Sequence, residues 1–87
     1  MQALRLGELR NIARSEGFEA GALGTARALI GDPTPVHGVS EMQSEFKEKY
    51  LKKEDLPDVL KAEVLEEINK SFKEGAKEVV RSNPELD

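Results

Sequence analysis

The sequence predicts a small all-α bundle of about four helices with a long C-terminal helix. Three observations predict it. No stretch alternates apolar and polar residues long enough to make a strand. Apolar residues recur at three-and-four spacing in several segments, the signature of an amphipathic helix. The breaks between these segments carry glycine and proline, most clearly in Gly31-Asp32-Pro33-Thr34-Pro35. At 87 residues the chain has room for one domain.

The first helix is expected over about residues 3–16, where Leu6, Leu9, Ile12 and Ala13 make one apolar stripe. Gly17 is a natural stop, because glycine tolerates the left-handed conformation that follows many helix ends. The stretch GFEAGALGTARALIG follows, with glycine at 17, 21, 24 and 31. Each glycine inside a helix costs roughly 1 kcal/mol relative to alanine. The spacing is therefore read as a short turn after Gly17 and a second helix over about residues 22–30, gaining strength from Gly24. Were the stretch helical, Gly17, Gly21, Gly24 and Ala28 would share one face, a small-residue stripe for close approach of another helix. In either case packing against the last helix is the expected role. The prolines at 33 and 35 stop the second helix, since a residue before proline avoids the α conformation.

The third helix is expected over about residues 40–52, with Ser40 as N-cap and Gln43 completing a capping box. Val39, Met42, Phe46 and either Tyr50 or Leu51 form its buried face. The fourth is expected over about residues 56–81, with Asp55 as its cap and Pro57 in its first turn. Its stripe runs through Leu56, Val59, Leu60, Val64, Leu65, Ile68, Phe72, Ala76, Val79 and Val80. Acids crowd its start and Lys73, Lys77 and Arg81 its end, as the helix dipole favours. The chain thus divides into a helix–loop–helix (1–31), a proline-containing linker (32–39) and a helical hairpin (40–87).

The chain has no cysteine and no tryptophan. Disulfides, thiolate metal sites and thiol chemistry are excluded, and a reducing cytoplasm is the expected location. No apolar run approaches the ~18 residues of a membrane span, and the N-terminus lacks the layout of a leader. The net charge of −4 falls entirely on residues 39–87, while residues 1–38 balance four arginines against four acids. Bulk electrostatic attraction to nucleic acid is therefore disfavoured.

Candidate chemistry is sparse. The glycines lack the Lys-Ser/Thr of a phosphate loop and the strand before a dinucleotide fingerprint. His37 is the only histidine; with no ligands or catalytic partners at a fitting spacing it is read as a solvent-facing loop residue. Glu63, Glu66, Glu67, Glu74 and Glu78, interleaved with lysines, read as a solvated helix face rather than paired catalytic carboxylates. No catalytic residue, metal, cofactor or small-molecule substrate is expected.

Within residues 4–30, Glu8-Leu9, Ile12-Ala13, Gly17-Phe18 and Gly24-Thr25-x-Arg27-x-Leu29-Ile30 resemble the SAP motif. That family folds as a helix–extended loop–helix and typically binds DNA. The resemblance implies a small core of Leu9, Ile12, Phe18, Leu29 and Ile30, and implies Arg10, Arg14 and Arg27 as phosphate contacts. The segment between Gly17 and Gly24 is about two residues longer than the motif, and Ala26 stands where lysine is common. His37-Gly38-Val39, Phe46 and Tyr50-Leu51-Lys52 loosely resemble the HEPN family of small helical bundles, some of them ribonucleases. Its Arg-x4-His motif is absent, so no catalytic residue follows.

The expected function is a non-catalytic interaction module. Its partner is another protein or a second copy of itself, and no membrane is expected to be involved. The fourth helix extends over roughly 36 Å, long for three short helices to cover. Val64, Ile68, Phe72 and Val79 are its expected interface residues. The alternative is a nucleic-acid-binding module using the N-terminal helix–loop–helix.

Overall fold

The computed structural model describes residues 6–36 and 38–82. Among them the chain forms three helices and no strand: α1 (Leu6–Leu29), α2 (Val39–Phe46, continued by a π-helical turn at Lys47–Leu51) and α3 (Asp58–Arg81). The two short N-terminal helices expected from the sequence are one helix of 24 residues, so about four helices become three. The expected link after Gly17 does not form. Residues 1–5, His37 and residues 83–87 lie outside the described part, and the expected role of His37 and the start of the first helix at residue 3 lie there with them.

The helix continues through Gly17 because its glycine face is buried. Gly17 and Gly21 of α1 face Ser71 and Gly75 of α3, each pair four residues apart. A methyl group on Gly21 would overlap the Phe72 carbonyl oxygen, and one on Gly75 the Phe18 carbonyl oxygen. One on Gly17 would lie 2.7 Å from the Ile68 carbonyl oxygen. Only hydrogen fits at these three positions, so the two backbones meet more closely than helices bearing side chains can. Glycine Cα–H groups set against carbonyls also favour weak C–H···O contacts. The roughly 1 kcal/mol that each glycine costs a lone helix is offset by this tertiary packing. Ser71, almost fully buried, satisfies its hydroxyl locally by donating to the Glu67 carbonyl at 2.8 Å.

Partners across the seam advance together along both helices: Arg10 with Glu63, Arg14 with Glu67, Gly21 with Phe72. Helices α1 and α3 therefore run parallel, and α2 returns between them on one side. The core joins Leu9 and Ala13 of α1 to Phe46 and Leu51 of the α2 arm and to Val64 and Ile68 of α3.

Phe46 and Leu51 are both fully buried though five residues apart. On an α-helix that spacing separates them by about 140°. The π turn, with the Lys52 N–H bonded to the Lys47 carbonyl at 2.8 Å, widens the helix and brings both inward. Tyr50 is half-buried, packs with its ring 4.7 Å from the Phe46 ring at a tilt of 44°, and directs its hydroxyl to the Glu16 carboxylate at 3.4 Å.

The helix ends differ from expectation in two places. Gly38, not Ser40, is the N-cap of α2, and Gln43 crosses to α3 to donate to the Leu65 carbonyl at 2.9 Å. Pro57, not Asp55, is the N-cap of α3, its carbonyl accepting from Leu60 and Lys61. The end of α1 is where the prolines place it. Gly31 takes φ +73°, the Gly31 N–H bonds Ala28 and the Asp32 N–H bonds Arg27, a Schellman motif.

Candidate functional site

The surface left free by this packing has two parts. The first is the face of the α1–α3 pair turned away from α2. The seam there is a shallow groove lined by Arg14 and Phe18 from α1 and by Glu67, Lys70, Ser71 and Glu74 from α3. Phe18, 40% exposed, stands in it. The second is the far end of the rod. The α2 arm has 13 residues and reaches about 20 Å along helices of about 36 Å. Beyond it Leu29, Val36 and Val80 are exposed and Ile30 is 78% exposed.

Phe18, Leu29 and Ile30 therefore point outward instead of forming the small core that the SAP resemblance implies, while Leu9 is buried and Ile12 packs against the core. An unbroken helix holds Phe18 and Leu29 eleven residues apart along its axis, where a helix–loop–helix could fold one onto the other.

The three arginines expected at phosphates each meet an acid of the same chain. Arg10 lies 3.3 Å from Glu63, Arg14 3.6 Å from Glu67 and Arg27 3.9 Å from Asp32. The first two are rungs between the parallel helices and the third ties the loop to the end of α1. The Asp32 carboxyl also accepts from the hydroxyl and N–H of Thr34, at 2.6 and 2.9 Å. These bonds, with Arg27 adding to them, hold its pKa below the usual carboxylate range.

Of the expected interface residues, Val64 and Ile68 are fully buried in the chain's own core. They cannot be an interface, because α1 matches α3 in length at 24 residues and covers the face expected to need a partner. Phe72 and Val79 are half-buried. The outward residues that sequence reasoning missed as surface are Phe18, Leu23, Leu29 and Ile30. The one signal for them is the glycine spacing: if 17, 21 and 24 face α3, Phe18 and Leu23 cannot all share that face.

Exposed apolar side chains and ion pairs make up much of this surface. Among the described residues no group of acids, histidines or cysteines could hold a metal ion. The carboxylates pair with cations instead of each other: Glu63 and Glu67 with arginines of α1, Glu74 with Lys77, Glu78 with Arg81. No helix among the described residues is long and apolar enough to cross a membrane. No protein-family model, curated protein or solved structure matches this chain.

Proposed function

We propose that the protein is a non-catalytic helical interaction module that binds protein through the surface α2 leaves uncovered. One observation carries this reading: large apolar side chains remain exposed on a chain whose core is already closed. Phe18, Leu23, Leu29, Ile30, Val36 and Val80 all keep more than a third of their surface in contact with solvent. Leu29, Ile30, Val36 and Val80 fall on the last turn of α1, the loop that follows and the last turn of α3, and exposed apolar surface beyond a closed core is where interaction sites form. The rigid parallel pair beneath them keeps that surface preorganised, which lowers the entropy cost of binding.

Photo-crosslinking tests this directly. A photoreactive residue is placed at Phe18 or Ile30, and at Ser44 on the exposed side of α2 as a polar control, in cells that make the protein. The reading predicts defined protein adducts from Phe18 or Ile30 and none from Ser44. Adducts from neither apolar position, or equal labelling at all three, would contradict it.

A further inference from the structure

We propose that the groove between α1 and α3 is the contact surface for a second copy of the chain, paired antiparallel about a two-fold axis at Phe18. The proposal rests on the interaction reading above and names its partner. Charge complementarity favours a second copy. The groove carries two cations, Arg14 and Lys70, and two acids, Glu67 and Glu74. Its net charge is zero, which favours no strongly acidic or basic partner. Arg14 and Glu67 already pair across the seam at 3.6 Å.

Lys70 and Glu74, the latter also 3.9 Å from Lys77 of its own helix, lie on the exposed rim, one helical turn apart, about 6 Å along the axis. The contact between the Phe18 carbonyl and the Gly75 position sets Phe18 level with this turn, and Ser71 lies between the two charges in the groove floor. Lys70 stands toward the N-terminal side and Glu74 toward the C-terminal side. An antiparallel copy placed on the groove brings each Lys70 opposite the partner's Glu74. A parallel copy would set like charges against each other, which selects the antiparallel arrangement. The same axis brings the two Phe18 rings together over the floor of the seam. The aliphatic stems of Arg14 and Lys70 extend the apolar contact around them. The interface is isologous: every contact occurs twice.

Sedimentation velocity of the full chain over a concentration series tests it, with far-ultraviolet circular dichroism reporting the fold of each variant. The wild type is expected to show a monomer–dimer equilibrium. Phe18→Glu, a surface change, abolishes the dimer with helicity retained. Lys70→Glu and Glu74→Lys each raise the dimer Kd about fivefold, the size expected of an exposed ion pair made twice. The double variant Lys70→Glu/Glu74→Lys restores it, because the swapped charges again meet opposite signs. Phe18→Cys forms an intermolecular disulfide on mild oxidation and Asn11→Cys does not. A chain that stays monomeric at about 1 mM, well above the Kd of a weak specific pair, overturns the proposal. So does a dimer indifferent to Phe18→Glu, or a charge-swapped double variant no better than the singles. If the chain is monomeric yet Phe18 crosslinks to a different protein in cells, the dimer is wrong and the interaction reading stands.

Discussion

Toward α2, helix α1 contributes Leu9 and Ile12 to a core filled by Phe46, Leu51 and Met42. Toward α3 it contributes Ala13, Gly17 and Gly21, and meets Ser71 and Gly75. The first contact draws its stability from apolar area, with long side chains reaching across a wide gap. The second draws on the absence of side chains: two backbones touch, and the favourable terms are dispersion and weak C–H···O contacts over a long seam. The two contacts fail in opposite ways. The α2 side is hurt by making residues smaller, and the α3 side by making them larger.

Removing bulk on the α2 side should have the largest effect. Phe46→Ala leaves a cavity under the π turn and is expected to cost about 3–5 kcal/mol. A chain of this length has a total stability of roughly 4–13 kcal/mol, so the variant should be partly unfolded at 37 °C. Urea denaturation followed by circular dichroism measures this. A loss below about 1 kcal/mol would mean that α2 is not firmly seated.

Adding bulk on the α3 side comes next. In Gly75→Ala the new methyl meets the Phe18 carbonyl oxygen and lies 3.0 Å from the Ala22 nitrogen. Both are backbone atoms of a helix and cannot swing aside. The expected loss is about 1–3 kcal/mol, even though alanine is the better helix former. A gain in the melting temperature would show that the helices stand apart at this level.

The smallest effect lies outside both contacts, at the loop that ends α1. The Asp32 carboxyl has a lowered native pKa because Thr34 and, secondarily, Arg27 stabilise its charged form. The native state therefore binds the proton less readily than the unfolded chain. Its contribution is present above the unfolded carboxyl value of about 3.9 and is lost as pH falls through the lower native value. Thermal melts should show Asp32→Asn less stable than wild type near neutral pH, with the difference closing as pH falls below the unfolded carboxyl value of about 3.9. A difference independent of pH would place its origin in something other than ionisation.

The contrast between the two contacts also explains which parts of the fold are legible in the sequence. The stripe of α3 and the buried face of α2 are written in Val, Leu, Ile and Phe, and periodicity finds them. The prolines and Gly31 fix the end of α1. What the sequence hides is the continuity of α1. Its buried positions after Leu9 are Ala13, Gly17 and Gly21, so the apolar stripe fades where burial is complete. At the same time Phe18, Leu23 and Leu29 put apolar residues on the outer faces. Periodicity reads side chains, and a contact built on their absence looks like a loop. The missing signal is the match between Gly17–Gly21 and Ser71–Gly75, two small pairs at equal spacing on segments far apart in sequence. For the same reason Val64 and Ile68 look like an uncovered interface: the helix that covers them is itself hard to see. The π turn is hidden too, although the choice between Tyr50 and Leu51 for the buried face is its trace.

Residues 17–24 are helix, held by a seam that admits only glycine at its closest points. Paired glycine-to-alanine substitutions one turn apart probe that seam. At Gly21 a methyl overlaps the Phe72 backbone, whereas at Gly24 it meets the Val36 side chain at an ordinary 3.5 Å. The urea midpoint should move in opposite directions. Gly24→Ala should stabilise by about 0.5–1 kcal/mol through helix propensity, and Gly21→Ala should destabilise by about 1–3 kcal/mol. Stabilisation by both substitutions would mean that the seam is open. Destabilisation by Gly24→Ala, with Gly21→Ala neutral, would mean that the segment is the turn its glycines suggest.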